Sequence, residues 1–241
     1  MATVRRQRTG LVLSCEHASA DIPARFRSLF AGHESVLRTH RGWDPGTWQL
    51  GKQLSQRFQV PVLATKVSRL LIEVNRSLHH PKLFSEFSSP LSPEIKQQLI
   101  AEYYLPHREA LEQQIRKVLK RNHRVLHVSL HSFTGQWNGE PRTADLGLLY
   151  DPRRPTELST CCRWQKSLRE RLPGLVIRRN YPYLGKADGL TTALRKKFTS
   201  TEYLGIELEV NQNHAPPSRH WRDICRALEA SISELLESDQ R

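Results

Sequence analysis

The sequence predicts a single α/β domain of three layers, in which a mixed, mostly parallel sheet carries helices on both faces. The chain of 241 residues is long enough for one large domain. Short apolar runs alternate with segments of helical periodicity, as in layered α/β folds. No repeat, low-complexity tract or Gly/Ser-rich linker divides the chain. We expect one domain over residues 1–241, with residues 1–8 as a flexible basic N-terminus.

Seven short apolar runs are predicted to be strands. The run at residues 124–130 is the strongest of them because it contains β-branched residues. The predicted strands cover residues 11–14, 60–65, 70–74, 124–130, 146–150, 175–177 and 204–210.

Four further regions are predicted to be helical. Residues 47–58 place apolar side chains at helical spacing. Ser92 can cap a long helix that has a proline at its first position, and we expect this helix to break or bend near Pro106. Residues 156–172 form a strongly basic helix, and an amphipathic final helix begins at Pro217.

Composition argues against a disordered chain and against a membrane-spanning helix. Hydrophobic residues make up 38% of the chain, which is enough for a core, and no apolar run approaches the roughly 18 residues that a span needs. The apolar stretch after the basic N-terminus covers only residues 11–15, which is too short for a signal-peptide core. The four cysteines contain no CxxC pair, so we interpret them as reduced thiols and expect a cytoplasmic protein.

The formal net charge of +13 favours anionic partners. A field of this sign attracts small anionic substrates, and it can also attract nucleic acid. No zinc finger, RNP motif or Gly-rich KH loop accompanies the charge, so a small anion is favoured over nucleic acid. The sequence does not predict an oligomeric state.

Polar side chains gather where the predicted strands end, which is the edge at which open α/β sheets bind ligands. His17 follows the first strand, Asn75 and Arg76 follow the third, and His131 follows the fourth. Asp44 lies in the loop before the first helix. Two histidines and an acid can provide three ligands to a catalytic zinc that keeps one position open for water.

Each of these residues also has a structural interpretation. The histidines could be ordinary loop residues, and Asp44 could cap the helix that follows it. Asn75 and Arg76 could cap a turn and pair with an acid.

The last predicted strand carries two carboxylates, Glu207 and Glu209, on one face. Glu209 lies among apolar residues, where a buried carboxylate needs a partner. It could form a salt bridge with an arginine, or it could remain free and act as a general base beside a metal.

Seven segments, taken in order, resemble the N-formylglutamate amidohydrolase family. They are CEHAS with DIP (15–23), HRGWDPG (40–46), SRLLIEVNRS (68–77), SLHSFTG (129–135), ADLGLLYD (144–151), NYPYLG (180–185) and GIELEVNQ (205–212). They span nearly the whole chain. The resemblance implies a phosphorylase/hydrolase-like fold, related to zinc carboxypeptidases and aspartoacylases, and a zinc-dependent amidohydrolase with one Zn²⁺ per chain.

The resemblance implies a set of metal ligands. His17 and His131 match the family's histidines, and Asp44 matches the acid of its Asp-Pro-Gly segment. The HxxE motif of carboxypeptidases is absent, since Ala20 stands three residues after His17. The third ligand is therefore expected to be Asp44 or, less favourably, Glu16.

The same resemblance implies roles around the metal. Glu209 matches the late-strand carboxylate of the family and would act as general base. Asn75 and Arg76 match the pair that holds a substrate carboxylate in the wider superfamily.

Two further roles do not come from the resemblance. Arg142, in the loop after His131, is expected to stabilise the oxyanion or bind a second carboxylate. Glu207, on the same strand face as Glu209, is expected to orient a ligand or pair with an arginine.

The expected reaction is hydrolysis of an amide on a small carboxylate-bearing molecule, with N-formyl-L-glutamate as the named candidate. Where the late strand of the family commonly reads EIRQD, this chain has Glu209-Val210-Asn211-Gln212-Asn213, and the lost arginine leaves the substrate open. The alternatives are a hydrolase of another N-acyl amino acid or of a cell-wall peptide, and a non-catalytic protein that binds anions or nucleic acid.

Overall fold

A computed structural model describes residues 8–238 of the chain. The expected flexible N-terminus, residues 1–8, lies outside the described residues except for Arg8. No helix of the described part is both long and apolar enough to cross a membrane.

Within the described residues, six strands form one sheet and two more form a small hairpin. The strands are β1 (Thr9–Cys15), β2 (Val62–Ala64), β3 (Arg124–Phe133), β4 (Gln136–Trp137), β5 (Glu140–Pro141), β6 (Leu146–Leu149), β7 (Ile177–Arg179) and β8 (Tyr203–Asn211). The sheet has the order β2-β1-β3-β8-β6-β7, and all neighbours run parallel except β6 and β8. The predicted mixed, mostly parallel sheet is confirmed.

Helices cover both faces of the sheet, so the predicted three-layer architecture is also confirmed. The helices are α1 (Thr47–Phe58), α2 (Pro93–Leu99), α3 (Leu105–Leu119), α4 (Pro155–Arg171), α5 (Leu190–Arg195) and α6 (Trp221–Ser238). The largest apolar cluster joins α1, α4 and α6 to one face, and a smaller cluster joins α3 and α5 to the other. Short 3₁₀ turns lie at Ala24–Phe30, Glu34–Arg38 and Gln212–His214.

The alternation of side chains along β3 positions the polar residues of the sheet. Leu126, Val128 and Leu130 face the large apolar cluster. The residues that alternate with them along the strand, His127, Ser129 and His131, therefore face the α3 side. β3 pairs with β8 in a register that sets His131 opposite Glu209. The sequence predicted that His131 follows β3. Because β3 continues to Phe133, His131 lies inside the strand instead.

Residues 70–74, which we predicted to be a strand, form a buried loop instead. Ser68 closes a turn by accepting a bond from the backbone N–H of Leu71 at 2.9 Å, and the N–H of Glu73 donates to the carbonyl of Leu83 at 2.9 Å. The apolar side chains of this loop pack against Phe26 and Phe30 in a separate cluster. An apolar run indicates burial but does not show whether a sheet edge is available to pair with it.

The structure shows how the long helix bends near Pro106 and where the last helix begins. A wider π-helical turn, Ile100–Tyr104, joins α2 to α3 directly before Pro106, where we expected a bend. Proline lacks an N–H and crowds the carbonyl four residues earlier, so the helix must open there. The last helix starts at Trp221 and not at Pro217, because a turn between Ala215 and Ser218 comes first.

Candidate active site

Three side chains from separate segments meet at the carboxyl end of β1 and β3. Nδ1 of His17 lies 3.2 Å from Oδ2 of Asp44 and 3.2 Å from Nδ1 of His131, and the last two atoms are 3.0 Å apart. All three residues are buried, at 2%, 2% and 4% exposure. Ligands held about 2.0–2.2 Å from a tetrahedral metal lie roughly 3.3–3.6 Å from one another. The three donors lie slightly closer together than this, so a small separation would let them hold such an ion.

Backbone contacts fix the position of Asp44 between the two histidines. Its N–H donates to the carbonyl of His17 at 3.0 Å, and its Oδ2 accepts from the N–H of Ser132 at 3.2 Å. The residue that precedes α1 directly is Gly46, in a left-handed conformation with φ of 86°. The carboxylate of Asp44 thus faces the histidines and does not cap α1, which was the alternative interpretation.

A carboxylate holds the far nitrogen of each imidazole. Nε2 of His17 lies 2.6 Å from Oε1 of Glu73, and Nε2 of His131 lies 3.1 Å from Oε2 of Glu16. The hydroxyl of Ser129 also approaches Nε2 of His131, at 2.9 Å. Such partners keep the proton on Nε2 and leave Nδ1 free to bind a metal. This geometry favours Asp44 over Glu16 as the third ligand, since Glu16 lies behind His131.

Sequence reasoning assigned no role to Arg69 or Glu73. Arg69 donates from Nε to Oε2 of Glu73 at 2.8 Å, and its Nη1 lies 3.4 Å from Oδ1 of Asp44. It therefore ties two of the acids of the cluster together. The signal that could have revealed the pair was the presence of two opposite charges, four residues apart, in an otherwise apolar run.

The charges of the cluster are compatible with a bound cation. Burial alone would raise the pKa of Glu16, Asp44 and Glu73, but neighbouring histidines, together with Arg69 for the last two, hold these pKa values well below the usual range. Three carboxylates against one arginine leave two negative charges. The same acids raise the pKa values of His17 and His131, so two protonated imidazoles can balance these charges. A divalent cation would balance them equally when both imidazoles are neutral, so the donor set is compatible with a zinc ion in charge as well as in geometry.

Glu209 lies beside this cluster as a buried carboxylate with an unused oxygen. Its side chain is 5% exposed, and its Oε2 accepts no hydrogen bond from the residues that the structure describes. Burial raises the pKa of Glu209 to about 7, and the carboxylates of Asp44 and Glu207 add to the rise while His131 opposes it. No arginine of the described chain pairs with Glu209, so the salt bridge considered from the sequence does not form.

Gly147 makes room for Glu209 on the neighbouring strand. β6 pairs Gly147 with Glu209. A Cβ on Gly147 would come within 3.2 Å of Cβ of Glu209 and within 2.1 Å of the carbonyl oxygen of Tyr181. Only glycine allows these two segments to approach β6 so closely.

The start of α5 and the residues just before it contact three of the predicted site residues, Asn75, Arg76 and Glu207. Oδ1 of Asn75 accepts from the N–H of Leu190 at 2.8 Å, and Arg76 donates to the carbonyl of Asp188 at 2.7 Å. Glu207 accepts from the hydroxyl of Thr191 at 2.6 Å. These three residues are therefore neighbours in space, and their roles toward a substrate stay predictions.

Arg142 follows the β4–β5 hairpin directly and contacts Phe133 at the end of β3. Its guanidinium is stacked among Phe133, Trp137 and Tyr183, with ring centroids at 5.6, 5.1 and 5.1 Å. His40 is close enough for Arg142 to affect it: burial lowers the pKa of His40, and the charges of Arg41, Arg142 and Arg69 lower it further.

The chain is similar in sequence to one protein family and in structure to several solved proteins. The family model for N-formylglutamate amidohydrolase matches residues 9–214. A gene product of Agrobacterium tumefaciens has a similar structure, with 24% identity and a TM-score of 0.78 over 98% of this chain and 93% of the other. An N-formylglutamate amidohydrolase from Ralstonia eutropha JMP134 is 19% identical, with a TM-score of 0.70 over 97% of this chain and 96% of the other. No curated protein sequence matches the chain.

The first prediction concerns the two histidines. The double variant His17→Ala, His131→Ala loses two of three donors, so zinc should fall from about one ion per chain to nearly none. Elemental analysis of the purified protein measures this, and circular dichroism checks the fold. His33→Ala, which removes an exposed imidazole, is the matched control and should retain zinc. Stoichiometric zinc in the double variant would contradict the assignment.

The second prediction concerns the carboxylate behind His131. Glu16→Gln keeps the shape of the side chain but removes the charge that orients the imidazole. Zinc affinity should fall about 10–100-fold, as is common when such a partner is lost. Competition with a chromophoric chelator measures the dissociation constant. Glu112→Gln, which changes an acid on α3 that pairs with Arg116 and Lys197, should leave it unchanged. An unaltered affinity in Glu16→Gln would show that Glu16 has no part in the metal site.

Proposed function

The chain belongs to the N-formylglutamate amidohydrolase family, and we propose that it hydrolyses the amide bond of a small N-acyl amino acid with the help of zinc. N-formyl-L-glutamate is the candidate substrate, and formate and L-glutamate would be its products. The observation that carries the proposal is the buried Oε2 of Glu209, which has no hydrogen-bond partner among the described residues and lies beside three convergent candidate metal donors. A protein that only binds a metal or an anion has no use for such a group.

One zinc ion per chain would be held by Nδ1 of His17, Oδ2 of Asp44 and Nδ1 of His131. Three nitrogen and oxygen donors leave one coordination position open, which is the arrangement of catalytic zinc sites. When bound, zinc supplies Lewis acidity to the attacking water and to the scissile carbonyl. Glu16 and Glu73 keep both imidazoles oriented from behind.

Glu209 is the group that moves the proton. Its Oε2 accepts a proton from the water as the water oxygen bonds to the carbonyl carbon. The carboxylic acid so formed then donates this proton to the amide nitrogen, and the carbon–nitrogen bond breaks to release the amine. A pKa of about 7 suits both transfers, because the group can lose and regain a proton at neutral pH.

Arg76 and Asn75 would bind a carboxylate of the substrate. Arg76 uses Nη1 for the carbonyl of Asp188, and its planar guanidinium has further donors for a bidentate contact. Glu207 would orient the ligand through the first turn of α5, which it holds at Thr191. The net charge of +13 would draw such anions toward the protein. A cytoplasmic setting fits the four unpaired cysteines.

The third prediction concerns Glu209. Glu209→Gln keeps the size of the side chain but cannot accept the proton, so kcat should fall about 10²–10⁴-fold while bound zinc stays the same. Glu207→Gln, on the same face of β8, is the matched control and should lose far less. The wild-type kcat/KM should rise with pH as Glu209 ionises and should level off above the pKa of this group, which is about 7. Full activity in Glu209→Gln would overturn the mechanism.

The fourth prediction concerns Arg76. Arg76→Lys keeps the charge but loses the planar pair of donors, so KM for N-formyl-L-glutamate should rise about tenfold. Steady-state kinetics measure the change, and Arg57→Lys, at an exposed position near the end of α1, is the control. Unchanged kinetics in Arg76→Lys would show that Arg76 only holds the loop at Asp188.

A further inference from the structure

Residues 180–185, here called the tyrosine loop, are fixed firmly at their base. Oδ1 of Asn180 accepts from the N–H groups of Tyr150 and Gly185, at 3.0 Å each. Gly185 packs so closely that a Cβ would lie 2.1 Å from the backbone nitrogen of Tyr150. The first and last residues of the loop are therefore both held against Tyr150, the residue that follows β6.

From this base, two phenols reach the segment that follows the β4–β5 hairpin. The hydroxyl of Tyr181 accepts from the N–H of Thr143 at 3.1 Å. The hydroxyl of Tyr183 accepts from Nη2 of Arg142 at 3.2 Å. Tyr183 is 47% exposed, so its ring is kept in water while its hydroxyl contacts the guanidinium. A side chain whose only role was packing would gain more from burial.

Arg142 is surrounded but not neutralised. The rings of Phe133, Trp137 and Tyr183, here called the aromatic cage, contact its guanidinium, and such contacts fix a cation without cancelling its charge. No carboxylate of the described residues forms an ion pair with it, and its other hydrogen bond, to the carbonyl of Thr134, is long at 3.4 Å. The guanidinium keeps its capacity to bind an anion.

The position of the aromatic cage decides which part of a substrate it would contact. Phe133 is two residues beyond the metal-binding His131, so the cage adjoins the metal centre. Trp137 and Tyr183 are about half exposed, so the cage lies at the rim of the site and not at its buried floor. A group that stabilises an oxyanion must lie within hydrogen-bond distance of the reacting carbonyl. A rim position suits the far end of the substrate instead.

We propose that Tyr183 is a positioning residue that holds Arg142 in the aromatic cage so that Arg142 binds the side-chain carboxylate of the substrate. The inference rests on the proposed function, since it names how that site selects an acidic amino acid. In this arrangement Arg76 would bind one carboxylate of the substrate, and Arg142 would bind the other.

The test compares binding of L-glutamate and L-glutamine, the charged and neutral forms of one product shape, to the zinc-loaded protein by calorimetry. The wild-type protein should prefer L-glutamate. Arg142→Met should weaken L-glutamate binding about tenfold or more, and Tyr183→Phe about 3–10-fold, with little effect on L-glutamine. In the double variant, Tyr183→Phe should add nothing to Arg142→Met, because it acts through Arg142.

Tyr181→Phe is the matched control, since its hydroxyl contacts a backbone N–H in the same segment and should not distinguish the two ligands. Equal losses for both ligands in Tyr183→Phe, additive effects in the double variant, or no wild-type preference for L-glutamate would each overturn the inference. Hydrolysis of N-formyl-L-glutamate, measured in parallel, tests the proposed function separately. Absent hydrolysis with the expected binding pattern would reject the reaction and support the subsite.

Discussion

The parallel register between β3 and β8 is the constraint on which the candidate site depends. It sets His131 opposite Glu209, and a shift of one residue would turn one of them to the other face of the sheet. The register is held by apolar side chains that interlock on the opposite face with α1, α4 and α6. The packing of the core thus determines how far Glu209 lies from the three candidate metal donors.

With this register in place, the buried charges of the site must still be stabilised. Several carboxylates and two imidazoles lie in a region that water hardly reaches, and each charge needs a partner there. The acids alternate with bases along the cluster: Glu73 with His17, Asp44 between the histidines, and Glu16 behind His131. Glu209 differs from these acids because its buried Oε2 has no hydrogen-bond partner among the described residues. A buried carboxylate left unpaired beside paired neighbours is a candidate for a chemical role.

Much of this arrangement could be predicted from the sequence, and the parts that could not have a common cause. Apolar runs that end in polar residues correctly predicted β1 and β3 and placed His17 and His131 near strand ends. The same signal was wrong for residues 70–74, because burial in a loop cluster and burial in a sheet give the same apolar pattern. Glu16 and Glu73 were visible as charges, but which imidazole each one contacts depends on segments distant in the chain. The roles of Asn75, Arg76, Glu207 and Arg142 stay predictions.

Gly147 has a consequence for how proteins of this fold can diverge. A side chain at this position would press on the backbone of Tyr181 and on Glu209 at the same time. Gly147 is therefore a neighbour both of the loop that would select the substrate and of the carboxylate that would transfer the proton. It cannot be replaced by a residue with a side chain without displacing one of them. Over evolutionary time Gly147 does not restrict the side chains of the loop that lie away from it, whereas the backbone at Tyr181 and the carboxylate of Glu209 must be retained together.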